Sequence, residues 1–232
     1  RNVLTRVGAP VYDAYLMDIG QGFKANENAN LQPNAETSHK RKADWVSGEE
    51  YLLLMPPKLA DAHLAGDLHI HDLEYFGTRP FCQDWDLRYF FYYGLMPDGM
   101  GTRTSVAGPA KHPEVAILHT AKILASAQTN FAGGEGFYNF LVFLAPYMRG
   151  LSYERIKQMM QMMLFEYTQA YVARGGQLVF SNVQVQPGVP ELWRKVPTVM
   201  HGRVGPDVYG DFEDEVRLLF RALYDVALHG DY

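Results

Sequence analysis

Two histidines and an acid, each two residues apart, are the first groups in this chain that could do chemistry. They lie in Gly66-Asp67-Leu68-His69-Ile70-His71-Asp72-Leu73-Glu74-Tyr75. Residues 68–75 alternate like a β-strand, and side chains at i and i+2 of a strand share one face. Asp67, His69 and His71 would then point one way, with Leu68, Ile70 and Asp72 on the other face. Two imidazoles beside a carboxylate can hold a metal, bind phosphate or carboxylate, or act as an acid–base pair. A single cysteine follows in Arg79-Pro80-Phe81-Cys82-Gln83-Asp84-Trp85-Asp86-Leu87-Arg88. A lone cysteine is commonly a small buried hydrophobe, but arginines close to it in space would lower its pKa and activate it. The third constellation is Ala173-Arg174-Gly175-Gly176-Gln177-Leu178-Val179-Phe180-Ser181-Asn182-Val183. It reads as a glycine hinge entering a strand, with Gln177, Val179 and Ser181 on one face and Leu178, Phe180 and Asn182 on the other. Polar groups inside an apolar strand cost stability when unpaired, so this pattern points to a cavity or ligand beside the strand.

The metal reading can be tested on the remaining histidines. Asp-x-His-x-His on an early strand resembles the first metal-binding strand of amidohydrolase-type barrels, which also need later ligands at strand ends. The other histidines are His39, His63, His112, His119, His201 and His229, and none falls in a later strand with a suitable neighbour. The metal site lacks its second half, and no metal is expected. One cysteine also excludes an internal disulfide and a multi-cysteine zinc site. A metal-dependent hydrolase using the His69/His71 strand stays open as an alternative.

The elements that must position these residues are read from periodicity and caps. A short helix is expected at 11–17 and a polar loop at 24–42, with His39-Lys40-Arg41-Lys42 as a solvated basic cluster. Ser47-x-x-Glu50 reads as a capping box, followed by helix, a break at Pro56-Pro57, and a second helix stopped by Gly66. Residues 81–95 are crowded with aromatics, and 96–109 reads as loop. Pro113 opens a helix to about Gln128, Ala132-Gly133-Gly134-Glu135-Gly136 breaks it, and a further helix at 137–149 is interrupted near Pro146. Ser152 caps a long helix ending before Gly175-Gly176, and Met159-Met160-x-Met162-Met163 on it reads as core packing. A strand at 177–186, an irregular stretch at 193–209 and a helix at 212–228, capped by Asp211 and closed by Gly230, complete the chain. Strands separated by long helical stretches favour an α/β architecture.

The chain has 232 residues, 47% of them hydrophobic and 20% charged, with net charge -5. That balance builds a sizeable core and argues against nucleic acid as a partner, because phosphate backbones demand a basic surface. No apolar run approaches the ~20 residues that span a bilayer, so no membrane is expected and a cytoplasmic location is.

Taken in order, the His-x-His-Asp block 66–75, Cys82, the helical region 120–134 and Gly175-Gly176-Gln177 entering a strand resemble the class III (anaerobic) ribonucleoside-triphosphate reductases over roughly residues 44–190. The resemblance implies a fold: an α/β barrel of ten strands in two five-stranded halves, of glycyl-radical-enzyme type, with long outer helices. Residues 45–232 would form the first half and 1–44 an N-terminal extension. It implies a reaction too. A glycyl radical near the C-terminus makes a thiyl radical on a loop cysteine, the thiyl removes the 3′-hydrogen of a ribonucleotide, and the 2′-hydroxyl leaves as water. A second cysteine on an early strand shares in the reduction, often with formate. Cys82 matches that second cysteine; His69 and His71 match the family's histidines near the active site; Asp72, Gln177 and Asn182 are carried over as substrate-binding.

The resemblance further implies ATP or dNTP effectors, formate or a thiol reductant, a radical-SAM activase and a homodimer. No cofactor is expected within this chain. It shows neither a second cysteine, nor a glycyl-radical segment, nor a four-cysteine zinc site, nor an ATP cone. With Arg1 first and the end just after a helix stop, an incomplete catalytic subunit is expected, inactive alone, its glycyl radical and zinc site lying in the remaining half. A non-catalytic nucleotide-binding dimerisation module, built on the helices of 113–174, is the other alternative.

Overall fold

The computed structural model describes residues 35–96, 100–170 and 179–230. The expected helix at 11–17 and the Gly175-Gly176-Gln177 hinge lie outside them. The chain divides into two compact units. One holds residues up to Cys82 together with Thr129–Gly133; the other holds Gln83–Gln128, Gly134–Ala170 and Val179 onward. Among the described residues, no helix is long and apolar enough to cross a membrane.

In the first unit, helix α1 (Ala35–Leu54) is followed by α2 (Pro57–Ala65). Two expectations fail here. Residues 35–42 are helix rather than loop, and Ser47 sits inside α1 rather than capping it. The reason is local: alanines, Lys and Glu are good helix formers, and the Lys40–Asp44 pair, one turn apart, ties the segment together. Gly66 does stop α2, in the left-handed conformation, φ 83°.

The expected strand at 68–75 is absent. Asp72 is left-handed, φ 45°, and a 3-10 turn follows at Leu73–Tyr75. The backbone donors are spent locally, Tyr75 N–H on the Asp72 carbonyl at 2.8 Å and Leu68 N–H on the Ala62 carbonyl at 3.3 Å. The alternation survives without a partner strand: Leu68, Ile70 and Asp72 are half-buried, while His69 and His71 are exposed. The 3-10 turn packs on α1.

The sheet that does form has the order β1–β2–β3, with β1 at Phe81–Trp85, β2 at Ala132–Phe137 and β3 at Ser181–Val183. The stretch expected to break a helix at 132–136 is therefore a strand. β2 and β3 are parallel, in the register Glu135↔Ser181, Gly136↔Asn182 and Phe137↔Val183. Parallel neighbours require a crossover, and the chain between them supplies it with α5 (Phe140–Leu144), a 3-10 turn at Ala145–Met148 and α6 (Tyr153–Gln169).

The second unit also holds α3 (Leu87–Tyr93), α4 (Pro113–Asn130), α7 (Glu191–Arg194), a ribbon of β4 (Pro197–Met200) and β5 (Arg203–Val208), and α8 (Glu213–His229). Its helices follow the sequence closely. Pro113 is the first residue of α4, and the Ser152 hydroxyl takes the Arg155 N–H at the start of α6. Met159, Met160 and Met163 are buried. Val216, Leu219, Ala222, Leu223 and Val226 form the buried stripe of α8, which packs along α6. Asp211 caps a different turn from the one expected: its carboxylate takes the Val208 N–H ahead of a 3-10 turn. The stretch read as irregular, 193–209, contains the β4–β5 hairpin, closed by His201 and Gly202 at φ 56° and 79°. Two left-handed residues are what a two-residue hairpin needs.

Asp86 anchors the join between β1 and α3. Its carboxylate takes the Arg88 N–H at 2.9 Å, a forked Arg88 guanidinium and the Tyr138 hydroxyl at 2.7 Å. Arg88 in turn lies over the rings of Phe143 and Trp193. Burial pushes the Asp86 pKa up, but these donors outweigh it and hold the carboxyl below the ordinary value of 3.8. Asp86→Asn should cost about 1–3 kcal/mol near neutral pH. A depressed carboxylate pKa stabilises above the unfolded value and loses that contribution as pH falls through the folded one. Urea titrations should therefore show the gap between wild type and variant closing below pH 3.8; a gap independent of pH would refute the charge assignment.

Candidate functional site

Cys82 is the second residue of β1, exposed and free of any disulfide. Its backbone is left-handed, φ 45°. Ala132 N–H bonds to the Pro80 carbonyl at 2.9 Å, which brings the starts of β1 and β2 together. The thiol fills space that Gly133 leaves: a Cβ at Gly133 would lie 2.5 Å from Cys82 Sγ and 3.2 Å from the Phe81 ring. Gly133 is itself left-handed, φ 82°. The flanking arginines are engaged elsewhere, Arg79 over the Tyr75 ring at 4.4 Å and Arg88 on Asp86.

The histidines form a ladder of rings. His63 lies 5.9 Å from His69, His69 5.8 Å from His71, and His71 5.4 Å from Phe81, the residue before Cys82. His63 was passed over in the sequence as a helix residue. Its Nδ1 accepts the Ile70 N–H at 3.2 Å, so its ring proton sits on Nε2. That bond fixes the turn carrying His69 and His71. His71 Nε2 is 3.7 Å from Asp72 Oδ1. Among the described residues, no three His, Cys, Asp or Glu side chains are grouped to hold a metal.

Asn182 stands exposed on β3, opposite Gly136 of β2. A side chain at Gly136 would collide with Asn182 Oδ1. Gln177 lies outside the described residues. On the other side of β2, Glu135 is fully buried and its Oε2 takes the Trp85 indole N–H at 2.8 Å.

Residues 27–232 match the family described as anaerobic ribonucleoside-triphosphate reductase. The chain belongs to that family. It is 26% identical over 132 residues to the anaerobic ribonucleoside-triphosphate reductase of Haemophilus influenzae, covering 56% of this chain and 18% of the relative. It is 29% identical over 127 residues to that of Enterobacteria phage T4, covering 53% of this chain and 20% of the phage protein. The crystal structure of the anaerobic ribonucleotide reductase from Thermotoga maritima in complex with dATP and CTP is similar in fold, with TM-score 0.70 at 17% identity. That match covers 98% of this chain and 40% of the Thermotoga chain. The chain thus spans about a fifth of the length of the curated relatives it matches.

Within this reductase-family chain the predicted residues sort by what holds them. His71 packs against the ring of Phe81, the residue before Cys82, although the expected strand under the histidines does not form. Glu135 was missed because glycines around it read as a break. The signal was the spacing Gly134-Glu135-Gly136, which leaves one strand face bare and gives the other an acid.

The exposed thiol should react readily with 5,5′-dithiobis(2-nitrobenzoate) in the folded protein. Gly133→Ala should slow that reaction, because its methyl group meets the sulfur, and should cost about 1–2 kcal/mol through the left-handed backbone. Equal rates in the two proteins would show that Gly133 does not set the thiol's surroundings.

Proposed function

We propose that this chain supplies the first half of the catalytic barrel of an anaerobic ribonucleoside-triphosphate reductase, with Cys82 as a reducing thiol. The observation that carries the reading is the exposed Cys82 thiol on β1, seated against a glycine of β2, in a chain of this family. Residues 45–232 would be the half-barrel and 1–44 an extension. His69 and His71 stand near the reacting ribose, and Asp72, Gln177 and Asn182 hold the substrate.

The chemistry explains why one thiol is insufficient. A thiyl radical, raised by a glycyl radical elsewhere in the enzyme, takes the 3′-hydrogen of the ribose, and the 2′-hydroxyl leaves as water. Replacing that hydroxyl by hydrogen is a two-electron reduction. Cys82 supplies one hydrogen, so formate or a further thiol completes the reduction. The thiyl itself needs another cysteine, and Cys82 is the single one here. Methionine thioethers carry no S–H and cannot replace it. The working enzyme would be a cytoplasmic homodimer, activated by a radical-SAM partner and tuned by ATP or dNTP effectors.

Two measurements test this. In the full-length protein, with activase, formate and strict anaerobiosis, Cys82→Ser should abolish turnover yet leave effector binding unchanged. The 232-residue chain alone should reduce no ribonucleotide. Full activity in Cys82→Ser would remove Cys82 from the mechanism, and turnover by the chain alone would overturn the division of labour.

A further inference from the structure

The last turn of α2 carries a histidine that has no part in the reading above. The chain beyond it folds back onto the end of the helix. Gly66 N–H bonds to the His63 carbonyl at 3.2 Å, and the N–H groups of Asp67 and Leu68 bond to the Ala62 carbonyl at 2.9 and 3.3 Å. Two residues further on, the acceptor changes from backbone to side chain: Ile70 N–H bonds to His63 Nδ1 at 3.2 Å. Ile70 stands between His69 and His71, and residues 69–72 lie in neither helix nor strand. Both flanking histidines are exposed. The His63 ring lies 5.9 Å from His69, tilted by 37°, and His69 lies 5.8 Å from His71.

We infer that His63 is a positioning residue, whose Nδ1 holds the Ile70 amide and so sets where the His69 and His71 rings stand. This rests on the reductase reading, which puts those two rings near the reacting ribose. Exposed side chains on backbone outside regular structure keep their conformational freedom, and ordering them costs entropy. Fixing the one peptide between two such residues restricts both at once. Reacting groups must be held to within about 0.5 Å, and a misplacement of about 1 Å costs roughly a hundredfold in rate. The His63 imidazole contributes in two ways, as an acceptor for Ile70 and as a ring beside His69. The acceptor is the part that bears on the backbone. It requires a lone pair on Nδ1, so His63 works as the neutral ring with its proton on Nε2. His63 acts through the turn and not on the nucleotide.

Two substitutions in the full-length protein separate acceptor from ring. His63→Asn keeps an acceptor, because its Oδ1 is as many bonds from the backbone as Nδ1, and loses the ring. His63→Phe keeps a ring beside His69 and offers Ile70 nothing. The readouts are hydrogen exchange of the segment carrying the Ile70 amide and steady-state kinetics with activase and formate. His63→Asn should keep the Ile70 amide protected and retain most of kcat. His63→Phe should lose that protection and lower kcat roughly tenfold to a hundredfold, with ribonucleotide KM and effector affinity unchanged. His63→Ala, which suits a helix and has neither acceptor nor ring, should match His63→Phe. Adding His69→Ala to His63→Phe should cost less than the product of the two single losses, because one acts through the other. Wild-type kcat in His63→Phe or His63→Ala would overturn the inference and leave the reductase reading standing. So would a His63→Asn protein as slow as His63→Phe with its Ile70 amide still protected. Wild-type kcat in both His69→Ala and His71→Ala would remove these histidines from the site, and the inference with them.

Discussion

Nine consecutive residues, Phe140 to Met148, are all buried, and the second unit is arranged around that fact. A run with no polar face cannot lie on a surface, so it must be wrapped on every side. Helix α8 packs on both α5 and the 3-10 turn that follows it, and α3 packs on α5. The Phe143 ring alone meets Tyr138, Trp193 and Tyr209 edge-on or tilted, with Arg88 over its face. Burying a side chain of that size is worth about 1.5–3 kcal/mol. This run lies in the crossover between β2 and β3, so wrapping it also fixes the parallel pairing of the two strands.

The sheet built on this crossover has two chemically distinct faces, and the division comes from β2. Glu135 and Phe137 face the packed interior, where the acid is held by the Trp85 indole. Glycine occupies the intervening positions, so the strand carries nothing on its open side. Side chains of the neighbouring strands lean into the space this leaves. A strand rich in glycine is weak by itself; here the cost is offset by strands on both sides and by helices that bury the other face.

How far the chain was legible from its sequence depended on how local each signal was. The helices opened by Pro113 and Ser152, the last helix and the Gly66 stop are written within a turn or two, and the structure reproduces them. The strand expected at 68–75 had the right alternation, and burial does alternate from Leu68 to Asp72, but a strand also needs a partner, and pairing is not written in the segment itself. β2 was hidden for the opposite reason, since Ala-Gly-Gly-Glu-Gly has almost no strand propensity and is a strand only through its neighbours. The β4–β5 ribbon was obscured by Pro197, Gly205 and Pro206, residues that a two-stranded ribbon tolerates at its edges. In the site, Cys82 and the histidine pair could be picked out by residue type. The role of His63 rests on a hydrogen bond to Ile70 seven residues away, which no pattern announces.

Cys82 sits at φ 45°, where a residue with a β-carbon is strained by about 1–2 kcal/mol and glycine is not. A drift of random substitutions filtered for thermostability alone would replace it with glycine, as stabilising exchanges of this kind are easy to find. The left-handed backbone at position 82 suits glycine, which carries no thiol, so sturdiness and sulfur chemistry make opposite demands on that one position. Engineering of this chain guided by stability alone would exchange that residue early among those on β1, and the product would fold better while losing its sole thiol.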